Sequence, residues 1–198
     1  MKITQMEEDT ILKQIRRSVQ KHATGRAILV LLIATIAISL LLNVSNVSFG
    51  VRALTAQSDG LMILDSRFSY TPDQVYALLE ALGAAGRQSY LTMHLVADII
   101  FPVVYSLLFA FTTAWLLHRL VAPDHPLQYL ILLPFVAGLA DLAENVSIMA
   151  IGLAYPARLD GVARFASLMT TIKYGLLPIG ILVIVACSAL LVWRHITI

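Results

Sequence analysis

The sequence predicts an all-α integral membrane protein, with four transmembrane helices packed as one bundle. Three observations carry that reading. Of 198 residues, 59% are hydrophobic and only 13% are charged, about half the charge of a soluble globular domain. The mean hydropathy is +0.81. Four continuous apolar runs each reach the roughly 20 residues that a spanning helix needs, and none breaks into the alternating segments of about 10 residues that mark a membrane barrel. This composition excludes a soluble enzyme, a disordered tail and a nucleic-acid-binding domain. The single cysteine, Cys187, excludes an internal disulfide framework and a Cys-rich metal site.

Taken in order, residues 1–25 form a basic leader. Ile11, Leu12, Ile15 and Val19 fall at helical spacing among Lys13, Arg16, Arg17 and Lys21. That pattern suits an interfacial helix on anionic lipid and equally a plain topology anchor, which is the simpler reading. Between Arg26 and Arg52 there is no charge, and residues 27–47 make the first span. Residues 48–87 make an exterior loop, and within it Thr71-Pro72-Asp73-Gln74 is a helix start. Thr71 caps, Pro72 suits the first helical position and Gln74 completes a capping box. Val75, Leu78, Leu79 and Leu82 then share one face, so a short amphipathic helix is expected there, as a packed connector or as a lid, ended by Gly83 or Gly86.

The second span covers residues 89–117, with Asp98 as its only carboxylate. The third covers 128–154 and is interrupted by Asp141 and Glu144. The fourth covers 166–193 and carries Lys173. Eight basic residues (Lys2, Lys13, Arg16, Arg17, Lys21, Arg26, Arg119 and Arg194) fall on one side of these spans. The five on the other side, Arg52, Arg67, Arg87, Arg158 and Arg164, are spread over longer loops. The positive-inside rule therefore puts the N- and C-termini in the cytoplasm of a multi-pass protein of the cell inner membrane, with Trp115 and Trp193 at the inner interface.

Ionisable residues inside spans cost about 2.5–3.5 kcal/mol each on insertion scales, so Asp98, Asp141, Glu144 and Lys173 need a reason. On this topology all four fall between the midplane and the outer interface. Residues that merely snorkel would sit at helix ends. Helical phase agrees with a common site. His94, Asp98, Phe101 and Tyr105 share one face of the second span, and Asp141, Glu144, Asn145 and Ile148 share one face of the third. Ser167, Thr170, Thr171, Lys173 and Tyr174 form a broader polar face on the fourth, and Asn43 lies near the outer end of the first. Converging faces would enclose an acidic pocket open to the outer side. Three carboxylates against one lysine do not all stay charged in a low dielectric without compensation. A protonated carboxyl, positive charge from His94 or Arg87, or a bound cation would supply it. Pro102 and Pro178 each sit about one turn beyond a charged residue, where a proline frees a backbone carbonyl.

Three functions fit this pattern. In the first, the charges are interhelical glue in a structural or accessory subunit. In the second, the protein is an enzyme of a lipid or another membrane-embedded substrate. Asp98 and Asp141 would then act as the acid–base pair, with Glu144 beside them and Lys173 offsetting negative charge. His94, Tyr105, Asn145, Thr170 and Tyr174 would line the substrate. In span number and in paired aspartates toward the outer face, the chain resembles lipoprotein signal peptidase in architecture. The sequence around Asp141, Gly138-Leu-Ala-Asp141-Leu-Ala-Glu144-Asn145, differs from that family's aspartate motifs, and no residue role is carried over. In the third, the protein is a proton- or cation-coupled transporter, which with four spans requires an oligomer.

No cofactor is identified. His94-x3-Asp98 and Asp141-x2-Glu144 offer ligands for zinc, iron or manganese. Only one histidine lies at that depth, however, and the second Glu-x2-His pattern of a di-metal bundle is absent, so no metal ligand is assigned. The expected partners are membrane lipid, and a second copy of the chain or a larger membrane complex, with no nucleic acid.

Overall fold

The computed structural model describes residues 2–197, with side-chain surroundings from residue 11 onward. Met1, Ile198 and the Lys2 side chain of the leader lie outside the described residues. Every element among the described residues is a helix: α1 (Lys2–His22), α2 (Gly25–Asn43), α3 (Val51–Gln57), α4 (Pro72–Ala81), α5 (Gly83–Val96), α6 (Ile100–Leu120), α7 (Leu133–Ala154) and α8 (Asp160–Ile196), with 3-10 turns at Leu64–Ser66 and Pro126–Leu132. Four of the segments, Gly25–Asn43, Gly83–Leu120, Pro126–Ala154 and Asp160–Ile196, are long and apolar enough to cross a membrane.

α2 starts where Thr24 accepts a hydrogen bond from the Ala27 amide, a side-chain N-cap. It ends at Asn43, a turn earlier than the apolar run suggests, where the Val44 and Ser45 amides both close on the Leu40 carbonyl. Leu42 is its one buried residue, so α2 presents apolar side chains on nearly all sides, as a lipid-facing helix does.

The stretch read as an exterior loop is largely helical. α4 forms with the anticipated capping box: the Gln74 amide donates to Thr71 Oγ1 and the Thr71 amide donates to Gln74 Oε1. Gly83, at φ +61°, takes the left-handed turn that ends it and lets α5 follow at once. Val75, Leu78, Leu79 and Leu82 are all buried, together with Leu54, Ile63, Leu64, Ile148 and Ile151. The apolar face of α4 therefore packs into the protein, which is the connector arrangement.

The second span is broken. α5 stops at Val96, residues 97–99 form a turn, and α6 resumes at Ile100. Pro102 explains the break. It has no N–H to donate to the Asp98 carbonyl four residues back, and its ring crowds that carbonyl. α8, by contrast, is one helix across Pro178.

α6, α7 and α8 pack as a unit, and α2 packs on α6. Hydrophobicity does not drive helices together in lipid; close approach of small residues does. Ala110, Ala114, Ala137, Ala140, Ala163 and Ala166 are all buried. Gly138 of α7 sits so near α6 that an added Cβ would lie 2.1 Å from Ser106 Oγ and 3.2 Å from the Pro102 carbonyl oxygen. The leader helix α1 docks on this unit through buried Val19 and Arg16, whose guanidinium lies 5.2 Å from the Tyr129 ring centre. Two apolar clusters result. One joins α3, α4 and α5 to the ends of α7 and α8, and the other joins α1 and α6 to Ile131 and Cys187. On α7 and α8 the buried polar residues lie between the two clusters in sequence.

Candidate functional site

The three polar faces anticipated from helical phase do meet. Lys173 of α8 donates to Asp141 Oδ1 at 3.1 Å and to Glu144 Oε2 at 2.6 Å, both on α7. Glu144 is fully buried, and its other oxygen accepts from Thr170 Oγ1 and, at 3.3 Å, from Tyr70 Oη. Burial, and then the Glu144 carboxylate beside it, push the Tyr70 phenol well above its ordinary range. It therefore stays protonated and remains a donor. Asp141 Oδ2 accepts from Tyr105 Oη at 3.0 Å. Every oxygen of the Asp141–Glu144 pair thus has a donor. An ammonium has three protons; two are used here, and Lys173 Nζ also lies 5.3 Å from the Tyr174 ring centre.

Asn145 links this cluster to the break in the second span. Its Nδ2 donates to the freed Asp98 carbonyl at 2.6 Å and lies 3.4 Å from Asp141 Oδ1. The turn at residues 97–99 aims the Asp98 side chain back toward α5. There His94 Nδ1 lies 3.3 Å from Asp98 Oδ2, and His94 Nε2 lies 3.8 Å from Asp65 Oδ2. Neither contact has hydrogen-bond geometry. Both His94 nitrogens and Asp98 Oδ2 are buried without a hydrogen-bond partner, and His94 is 0% exposed.

Asp65 is the member that sequence reasoning missed. It lies in the connecting segment, where an aspartate ordinarily reads as solvated and no periodicity marks it. Its position follows from its neighbours. Ile63 and Leu64 are buried in the apolar cluster and anchor the 3-10 turn. Tyr174 Oη donates to the Asp65 carbonyl at 2.6 Å, and Tyr90 Oη donates to Asp65 Oδ2 at 2.9 Å. No periodicity marks Tyr70 or Tyr90 either. Arg87, one of the two residues suggested as a source of positive charge, points elsewhere: it donates to the Leu79 carbonyl and covers the Tyr155 ring.

A cavity of about 350 Å³ opens onto these groups, within the size range of small-molecule sites. Asp65, Asp98, Asp141 and Lys173 mark its polar end, and Phe101, Phe109, Leu177 and Ile181 are among its apolar walls; Thr35, Leu42 and Asn43 of α2 line it too. Of the expected site residues, Asp98, Tyr105, Asp141, Lys173 and Tyr174 line the cavity. His94, Glu144 and Asn145 lie behind that lining and contact it, and Thr170 stands behind Glu144. No protein-family model, curated protein or solved structure matches the chain.

Proposed function

We propose that this membrane protein binds the polar group of a lipid or another membrane-embedded substrate and acts on it by acid–base chemistry. The cavity carries the reading. Charged and apolar side chains share its lining, and the helices that bound it are among those long and apolar enough to cross a membrane. An amphiphile has the matching shape, with a polar group for Lys173 and the carboxylates and a chain for Phe101, Phe109, Leu177 and Ile181.

The polar groups divide in two. Lys173, Asp141, Glu144, Thr170 and Tyr70 form a satisfied network. That supports an anchoring role: the network holds α7 against α8 and leaves one ammonium proton for a substrate oxygen. His94 and Asp98 carry the unsatisfied atoms, with Asp65 beside them held by Tyr90. Unpaired titratable groups at a cavity wall are what acid–base work requires. This half is the reactive end.

The charge counts of the flanks support cytoplasmic termini in the inner membrane, and on that topology the cavity and α4 lie toward the exterior. A second reading rests on the satisfied network: if the pocket takes no substrate, those charges are interhelical glue. The test is to incubate delipidated protein with a membrane lipid extract and follow lipids by mass spectrometry. Retention or conversion of one lipid class, abolished by Leu177→Trp in the cavity wall, supports the proposal. Conversion lost in Asp98→Asn with retention kept assigns Asp98 to the chemistry. No class retained above that of the Leu177→Trp variant overturns the proposal and leaves the structural reading.

A further inference from the structure

The geometry points to a divalent metal site of the first transition row, held by Asp65, His94 and Asp98. One ligand atom from each of these residues lies within 4.8 Å of the others. Zinc-type bonds to imidazole nitrogen and carboxylate oxygen run about 2.0–2.2 Å, so two ligands of one tetrahedral ion stand about 3.3–3.6 Å apart. Each His94 carboxylate contact, 3.3 Å to Asp98 and 3.8 Å to Asp65, already lies near that spacing, and binding would draw the remaining carboxylate inward. One imidazole and two carboxylates are a donor set for zinc, manganese or iron.

Three independent observations point to a ligand. First, His94 is completely buried with both ring nitrogens lacking a hydrogen bond, and it is flanked by carboxylates on both sides. Buried polar groups are otherwise paired; an ion held by one His94 nitrogen and the two aspartates would satisfy that nitrogen and Asp98 Oδ2, and leave the other ring N–H to a carboxylate, the usual outer contact of a metal-bound histidine. Second, the outer contacts that orient metal ligands are in place. Tyr90 Oη donates to Asp65 Oδ2, Tyr174 Oη fixes the Asp65 backbone, and Asn145 fixes the Asp98 backbone. Third, the charges do not balance. With all four carboxylates ionised, Asp65, Asp98, Asp141 and Glu144 stand against one lysine, Lys173, which reaches Asp141 and Glu144, and Arg87 is directed away. A dication offsets two of the three surplus negative charges.

Asp65 and Asp98 line the cavity, so an ion there would keep open positions toward a bound molecule, as catalytic sites do and structural zinc sites do not. Such an ion would polarise a substrate oxygen or acidify a water. The inference rests on the proposed function only in placing this group at the reactive end; metal binding itself is measured without substrate.

The full chain is purified in detergent, stripped with chelator, reloaded with Zn2+, Mn2+ or Co2+ in separate samples, and desalted. Metal content is read by mass spectrometry, affinity by calorimetry, and ligand geometry by the visible spectrum of the Co2+ form. The expected result is one ion per chain and a Co2+ spectrum of low coordination number. Affinity should fall at least tenfold in Asp65→Asn and His94→Gln and stay unchanged in Asp73→Asn, an exposed carboxylate. Asp65→Asn keeps an acceptor for Tyr90 and sits outside the spans, so it serves even where His94→Gln does not fold. No retained ion, or equal binding by wild type and Asp65→Asn, overturns the inference. Retention of a lipid without metal would remove this site and leave the lipid reading standing; metal without any retained lipid would do the reverse.

Discussion

The side-chain amide of Asn145 donates to the backbone carbonyl of Asp98 at 2.6 Å, replacing the hydrogen bond that Pro102 cannot supply. The pair explains how a spanning helix is broken at membrane depth. Non-helical backbone is tolerated there only where protein or a cavity satisfies it. Here the proline opens the helix, the asparagine on the neighbouring helix satisfies the opening, and the aspartate between them is presented to the cavity.

This relationship predicts a specific coupling. Asn145→Ala leaves a buried carbonyl unpaired and should cost about 1–3 kcal/mol. Pro102→Ala restores a backbone N–H to the same carbonyl, so the loss of Asn145 should cost clearly less in the Pro102→Ala background. Unfolding titrations of the four proteins of this double-mutant cycle measure the difference. Equal costs in both backgrounds would show that the two residues act separately.

Lys173 holds Asp141 and Glu144 together. Removing one partner of a buried ion pair costs about 3–5 kcal/mol, whereas replacing the whole set with neutral groups is much less harmful. Lys173→Met should therefore sharply lower the yield of folded protein in detergent. Lys173→Met combined with Asp141→Asn and Glu144→Gln should recover much of it, as read by size-exclusion chromatography.

Much of this layer was legible from the sequence. Charges on three apolar runs fell at one depth and on consistent helical faces, and Asp141, Glu144 and Lys173 do meet. Four spanning segments and the Thr71 capping box were legible for the same reason: periodicity and local hydrogen bonding are properties of neighbouring residues. Asp65 was not legible, because its place depends on Ile63 and Leu64 anchoring a turn against helices far away in sequence. The break at residues 97–99 was half legible. Pro102 signalled a freed carbonyl, but only the packing of α7 shows what satisfies it. Within residues 48–87 α4 was legible, whereas α3 was missed because it is short and its burial comes from tertiary contacts.

Gly138 allows α6 and α7 to approach. In Gly138→Ala the Ser106 hydroxyl can rotate away, but the Pro102 carbonyl oxygen at 3.2 Å cannot. Overpacking of this kind costs about 1–3 kcal/mol. Gly138→Ala should lower the midpoint of thermal unfolding in detergent, and Gly138→Val should lower it further.

Thr71 caps α4 from an exposed position, so its replacement tests the cap without disturbing the core. Thr71→Ala should cost about 1 kcal/mol, seen as faster amide exchange across Pro72–Ala81. Unchanged exchange would mean that burial of Val75, Leu78 and Leu79 alone holds the helix.

Topology is tested by labelling. In a Cys187→Ser background, a cysteine at the exposed Glu80 should react with an impermeant maleimide added to intact cells. A cysteine at His195 should react only after lysis. The opposite pattern would put the cavity on the cytoplasmic side.

The central claim is that the cavity takes an amphiphile at its charged end. The most direct measurement is an electron cryomicroscopy map of the protein purified with native lipid and held in lipid nanodiscs. The account predicts non-protein density with a polar group within hydrogen-bond distance of Lys173 or Asp98 and a chain lying along Phe101, Phe109 and Ile181. A cavity closed by these side chains, with lipid density confined to the outer surface of the bundle, would contradict it.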